Sequence, residues 1–352
     1  MTCIRTALWA IVHPASTSRK PARLRQAFRG QQQVAWAETN DVDPLAPHAR
    51  DVRDYAKDVE PGLKPASVKR MISNVGVLTG KIAGNANHTS SMLVAAEMKR
   101  QRRKKGAGHR QALALRQKGD VMDMDALAQP FSIERMIRVL EPDKSLWGAR
   151  AKLLLSLGGD TGRRGGEYRA AKMADLVPLT DGSGEGVFIV PRSKTDQDGV
   201  GIVKFASKRT VRFYHEYRAA LKAAGGDTRA GAPLFVPVDR WAISRCSRGA
   251  VGDTLTTKGL IEILRNIVRK TLRMIADGSN EAIEDIETIA RGVSGHSFRV
   301  GLPMDLVTVG ESIVAICVEG GWATPAMPVY YTRFISARTG AAARLAARLG
   351  YE

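Results

Sequence analysis

The pattern that most restricts the fold is a long amphipathic stretch in the second half of the chain. Residues 258–276 place Leu260, Leu264, Ile267, Val268 and Ile275 on one side of a helix, with Arg265, Arg269 and Arg273 four apart on another. An apolar stripe of that length has to be covered, so further helices must surround it. The sequence supplies them. Val52, Tyr55, Ala56 and Val59 keep helical spacing until Pro61-Gly62, and after Pro65 one face carries Val68, Met71, Ile72, Val75, Leu78 and Ile82 up to Gly84. A third helix begins near Ser90 and Ser91. Downstream, Ser132 precedes IERMIRVLE, and Ser145 opens a helix with Leu146, Ala149, Leu153, Leu154 and Leu157 inward. Strand patterns are few: GVFIVPR, GIVKF and RTVRF, the first two separated by the turn RSKTDQDGVG. The predicted class is mainly α with a small β-sheet (α+β).

At 352 residues the chain is long enough for two domains with separate cores. Residues 1–45 alternate basic and Gln-rich pieces with only a weak helical period, and are expected to form a partly ordered arm. A helical domain over 46–112, a linker of mixed composition over 113–128 and a larger domain over 129–352 follow. The last of these ends in a helix at 339–350, whose Ala341, Leu345 and Leu349 lie four apart.

Lys and Arg outnumber Asp and Glu by 54 to 35, a net charge of +19. A polyanion is the expected partner, although charge alone does not separate DNA from RNA or an anionic membrane. The three cysteines, Cys3, Cys246 and Cys317, offer neither a disulfide framework nor a CxxC metal site. No stretch approaches the roughly 20 apolar residues of a membrane span, and ALWAIV near the N-terminus is too short for a signal peptide. A cytoplasmic protein is expected. Within the basic run that ends the third helix, Lys99, Arg100, Arg102, Arg103, Lys104 and Lys105 form either a solvated tail or a phosphate contact. Their position at the end of a packed helix, before the glycine-flanked GAGHR, favours phosphate. Lys258, Arg265 and Arg269 are candidates for the same work, with a solvated face as the alternative. The acidic group Glu281, Glu284, Asp285 and Glu287 is interleaved with Ile283, Ile286 and Ile289, so it reads as an exposed helix face rather than a metal site.

Chemistry concentrates near the C-terminus, in GHSFRVG, GGW and YYTR. His296 and Arg299 lie three apart, followed by Trp322 and the pair Tyr330 and Tyr331. Taken singly, each is more often a capping, surface or core residue. Together they suit a phosphodiester: a guanidinium binds two phosphate oxygens, and a phenol can attack if a base takes its proton.

In chain order, Arg164 with Glu167, Lys194 in a strand turn (SKT), His296 with Arg299 in GHSxRVG, Trp322 in GGW, and Tyr331 nine residues later resemble the catalytic set of the tyrosine recombinases, the phage integrase family. DVRDY and RQALA add to the likeness, which covers about residues 48–352. The resemblance implies a helical core-binding, SAM-like domain and a catalytic domain that form a C-shaped clamp on DNA. It implies that Arg164 and Arg299 clamp the scissile phosphate, and that Tyr331 attacks to give a 3′-phosphotyrosyl link and a free 5′-hydroxyl. His296 would serve as base and Lys194 would protonate the leaving oxygen. Trp322 would donate its indole N–H, and Glu167 would support the arginine. No cofactor or metal is implied. The implied partners are double-stranded DNA with inverted-repeat recombination sites and a homo-tetramer assembled on two sites from monomers, with the C-terminal helix docking in trans and strands exchanged through a Holliday junction. A type IB topoisomerase-like nicking-closing enzyme and a non-catalytic DNA-binding protein of the same fold are the alternatives.

The sequence departs from the pattern in four places. Arg163 precedes Arg164, and Tyr330 rivals Tyr331. Gly165 and Gly166 stand where a helix should start, which weakens it by about 1 kcal/mol each relative to alanine. Pro303, Pro325 and Pro328 fall in expected helices, so an irregular tyrosine segment is predicted.

Overall fold

The computed structural model describes residues 32–105, 111–117, 132–191, 201–238, 254–274, 276 and 280–351, and the chain divides between Arg110 and Gln111 into two compact units. Residues 1–31, the GAGHR segment, the later part of the expected linker, Ile275 and the turn with Lys194 lie outside the described residues.

Helices alone build the described part of the first unit: α1 (32–39), α2 (Ala49–Asp58), α3 (Pro65–Gly76) and α4 (Met92–Lys105). Pro65 opens α3, where a missing N–H costs nothing. A π-helical turn, Val77–Ile82, prolongs α3 until Gly84 turns left-handed at φ 73°. The predicted faces meet, with Val52, Tyr55, Ala56, Val68, Ile72, Val75, Val94 and Met98 forming the core. Trp36 of α1 meets Tyr55 edge-on at 5.3 Å. Residues 32–45 are therefore part of the packed unit rather than of a loose arm; their anchors were too sparse to give a period. Arg100 and Lys105, exposed like the rest of the basic run, are engaged by acidic partners. Arg100 pairs with buried Glu60 and Glu97 at 2.7 Å each, and Lys105 reaches Glu60 at 3.6 Å. Lys99, Arg102, Arg103 and Lys104 stay exposed.

The second unit is arranged about α6 (Leu146–Thr161), which is buried on every side. Around it lie α5 (Ile133–Leu140), α7 (Gly165–Ala170), α8 (Lys208–Ala223), α9 (Thr257–Arg273), α10 (Asn280–Gly292) and α11 (Ser297–Thr308). Three antiparallel strands, β1 (Leu176–Pro178), β2 (Gly186–Val190) and β3 (Ile202–Ala206), pair in the order β1-β2-β3, with Val190 opposite Ile202. RTVRF, expected to be a strand, is the start of α8. Ser207 caps that helix, its hydroxyl accepting from the Thr210 N–H, and Val211, Tyr214 and Leu221 then face the core. Its β-branched residues suggested a strand, but the cap and the burial decide otherwise.

Residues 111–117, where the end of the helical domain (to 112) and the start of the linker (from 113) were expected, are an extended strap on this second unit. Leu113 and Leu115 donate backbone N–H groups to Gly292 and Ser297 carbonyls at 3.0 Å, and Arg116 pairs with Asp305 at 2.9 Å. The stripe on α9 is also tied down: Arg269 pairs with Glu262 (2.7 Å) and Glu287 (2.8 Å), and Arg265 donates to the Val293 carbonyl (3.2 Å). Those two guanidiniums join α9 to α10 and its flank, which leaves Lys258 as the exposed candidate on that helix. The acidic segment lies in α10, as the helical spacing predicts, with Asp285 exposed and Ile286 buried.

The chain closes with α12 (Ile313–Gly320), α13 (Ala326–Thr339) and α14 (Ala341–Leu349). The tyrosine segment is a regular helix, contrary to the expectation from its prolines. Pro325 is the N-cap of α13 and Pro328 lies in its first turn, where no intrahelical N–H bond is lost, and α11 runs through Pro303. Nothing in α14 is buried; Leu345 and Leu349 are 57% and 54% exposed. Among the described residues, no helix is long and apolar enough to cross a membrane.

Candidate active site

A backbone joint brings the two arginine motifs together. Gly162 ends α6 in the left-handed region (φ 55°), and the chain then turns so that the Gly165 N–H donates to the Gly295 carbonyl at 2.7 Å. A Cβ on Gly165 would stand 3.0 Å from the Gly295 Cα. Glycine is there for close approach, at the expense of helix propensity in the six-residue α7.

The adjacent arginines part ways at this joint. Arg163 is 1% exposed; its Nε donates to the Thr161 carbonyl at 3.0 Å and its Nη2 to the Glu319 carbonyl at 2.8 Å. Arg164 is half-buried and held by Glu167, whose Oε1 accepts from Nη1 and whose Oε2 accepts from the Arg164 backbone N–H, both at 3.0 Å.

Across the joint, α11 begins at Ser297 with His296 as an exposed N-cap. One turn in, Arg299 is 3% exposed, with Nη1 donating to the Gly320 carbonyl at 2.8 Å. Its Nη2 is buried without a hydrogen-bond partner. The guanidinium lies over the Trp322 ring at 4.2 Å, and that ring meets Tyr331 edge-on at 6.4 Å. Gly320 permits this stack, since a Cβ there would fall 1.6 Å from the Trp322 ring. Tyr330 points its ring to Arg333 instead (4.1 Å).

The electrostatics follow from crowding of cations. Burial lowers the Arg299 pKa to about 10, helped by neighbouring Arg164 and Arg163, so the group is still charged at neutral pH. Burial raises the Tyr331 phenol, while Arg299 and Arg164 pull it back down. Among the two adjacent arginines, it is Arg164 whose charge acts on Tyr331. The arrangement is a half-buried phenol beside two guanidiniums, with a donor nitrogen left over for an anion.

The model thus gathers Arg164, Glu167, Arg299, Trp322 and Tyr331, with His296 at the head of α11; Lys194 lies outside the described residues. Sequence reasoning missed Lys204 and Glu319, and weighed Arg163 only as the rival of Arg164. Lys204 carries a legible signal: between Ile202 and Ala206 on β3 it occupies a core-facing position, where a lysine requires partners.

No family model matches the chain. The recombinase Cre of Escherichia phage P1 is 24% identical over 316 residues, covering 89% of this chain and 83% of Cre. The fold is similar to that of the Tn1549 transposon integrase in complex with transposon right end DNA, with a TM-score of 0.53 at 14% identity over 96% of this chain and 98% of the other. The same integrase with circular intermediate DNA gives a TM-score of 0.50 at 12% identity, covering 92% and 93%. The chain is accordingly similar in sequence to Cre recombinase along most of its length, and its fold is that of the Tn1549 transposon integrase.

Proposed function

We propose that this chain is a site-specific DNA recombinase that cuts and rejoins DNA through a 3′-phosphotyrosyl intermediate. The observation that carries the reading is the buried Arg299 Nη2, a charged donor without a protein partner, set between Arg164, Trp322 and Tyr331. A phosphodiester placed there would have its non-bridging oxygens held by Arg164 and Arg299, with the Trp322 N–H as a further donor. The Tyr331 Oη–P bond forms as the P–O5′ bond breaks. His296 takes the phenol proton, and Lys194 delivers one to the departing 5′-oxygen. Because the phosphotyrosyl link conserves the energy of the broken bond, a 5′-hydroxyl from a second strand can reverse the attack without ATP.

The partners are those that the resemblance to the tyrosine recombinases implies: double-stranded DNA with inverted-repeat sites, exchanged within a homo-tetramer by way of a Holliday junction. Exposed Lys99, Arg102, Arg103, Lys104 and Lys258 are the contacts proposed for the phosphate backbone. The uncovered Leu345 and Leu349 of α14 support docking of that helix on a neighbouring protomer. Deletion from Thr339 onward is expected to abolish cooperative binding to paired sites while single-site binding persists. Unchanged cooperativity in a gel-shift titration would count against docking.

The test of the reaction is a covalent trap. The protein is incubated with fragments of its source replicon without metal or ATP, and SDS-resistant adducts are recovered and sequenced. Wild type and Tyr330→Phe should yield adducts at one inverted-repeat sequence; Tyr331→Phe should yield none. Adducts at arbitrary sequences, with relaxation of supercoiled DNA, would favour a topoisomerase-like enzyme. Binding without adducts would favour a non-catalytic binder.

A further inference from the structure

Three cations from separate parts of the chain end on the last turn of α12. That helix closes with Gly321 at φ 65°; the Gly321 N–H donates to the Val318 carbonyl (3.2 Å) and the Trp322 N–H to the Cys317 carbonyl (2.9 Å), a Schellman pattern. Cations engage the carbonyls of this turn, Val318 O for a second time. Lys204 Nζ reaches Val318 O at 3.3 Å, Arg163 Nη2 reaches Glu319 O at 2.8 Å, and Arg299 Nη1 reaches Gly320 O at 2.8 Å. Lys204 also pairs with the Glu319 carboxylate at 3.3 Å. Lys204 and Arg163 are 7% and 1% exposed, so their donors are drawn from a desolvated setting toward the negative end of the helix.

The end of α12 fixes two groups of the site at once. The Gly320 carbonyl occupies one arm of Arg299, and Trp322, pinned by its own N–H two residues beyond the helix, lies against the same guanidinium at 4.2 Å. A tilt of that last turn would displace Arg299 and Trp322 together, and the unpartnered Nη2 with them. Residues that hold the helix end can therefore govern where the phosphate is held.

We propose that Arg163, Lys204 and Glu319 are positioning residues, an ionic latch that sets the end of α12 and through it the geometry of Arg299 and Trp322. The inference rests on the phosphoryl-transfer reading above. None of the three latch residues touches the reacting atoms in this account; they act through the carbonyls of α12. The nearby Arg163 charge also contributes to lowering the Arg299 pKa.

The test uses the full chain and the DNA site recovered by the covalent trap. Single-turnover adduct formation, DNA affinity and thermal unfolding are measured for wild type, Lys204→Met, Lys204→Arg and Glu319→Gln. At a temperature where all are folded, Lys204→Met and Glu319→Gln are expected to slow adduct formation at saturating DNA by about tenfold, with affinity within about threefold of wild type. Lys204→Arg, which keeps charge and donors, should restore most of the rate. Glu319 is 38% exposed on its side chain, so Glu319→Gln gives an answer even if Lys204→Met fails to fold. Adduct formation by Glu319→Gln within about twofold of wild type, or a drop in rate that Lys204→Arg does not reverse, would overturn the latch. An inactive wild type would overturn the reaction itself and the latch with it.

Discussion

Arg299→Ala should lower the rate of covalent adduct formation by about a thousandfold, the upper range for removing one preorganised donor from a developing oxyanion. Arg299→Lys should not restore it. A lysine cannot donate to the Gly320 carbonyl, lie flat on Trp322 and still present a second nitrogen to the phosphate. Folding should survive the loss. The Arg299 pKa is lowered to about 10, so the cation is less favourable in the folded than in the unfolded chain throughout the range below that pH. At neutral pH this amounts to about 3 kcal/mol, against about 1–3 kcal/mol for leaving the Gly320 carbonyl unpaired. The two nearly cancel. Arg299→Met, which keeps an apolar stem over Trp322, should therefore unfold within a few degrees of wild type while forming no detectable adduct. A large drop in melting temperature would show that the arginine is structural first.

Gly301→Ala should be the most destabilising small substitution in the second unit. Its Cβ would fall 1.9 Å from the Leu115 carbonyl oxygen, and both sides of that contact are backbone. The strap cannot yield without losing the Leu115 bond to the Ser297 carbonyl (3.0 Å) and the bond from the Gln117 N–H to Asp305 (2.8 Å). A cost of about 3 kcal/mol is expected, equivalent to about 6–12 °C in melting temperature for a unit of this size. Limited proteolysis should then cut near residues 111–117. Gly166→Ala is the matched control: a Cβ there meets nothing within 4 Å, and alanine favours the helix, so stability should rise by about 0.5–1 kcal/mol. Equal effects of the two substitutions would contradict the packing described for the strap.

These outcomes separate what the sequence carried from what folding added. The pair Arg164 with Glu167 was legible because it lies within one turn of chain, where spacing decides who meets whom. Trp322 and the tyrosine pair stood out as chemistry-bearing side chains, but nothing in their spacing says that an aromatic ring will lie between a guanidinium and a phenol. The latch was hidden because its contacts join residues more than a hundred positions apart, and a cation preceding a catalytic arginine has no periodicity to betray it. The arginines of α9 were misjudged for a related reason. A stripe four apart marks a helix face, but only the packed neighbour, with Glu287 and the Val293 carbonyl, tells which members of that stripe point inward.

The joint between Gly165 and Gly295 bears on how such a protein can change over generations. It is a backbone contact, indifferent to the side chains of Arg164, His296 and Arg299 that it brings together. Scaffold and chemistry are thereby inherited separately. A lineage could lose either arginine in one step and keep a folded protein that still grips its target, so that a repressor or an architectural protein lies one codon away from an enzyme. The reverse path is narrower at Gly165: a Cβ there would stand 3.0 Å from the Gly295 Cα, so the joint would have to open by a few tenths of an ångström before a restored arginine sat as before.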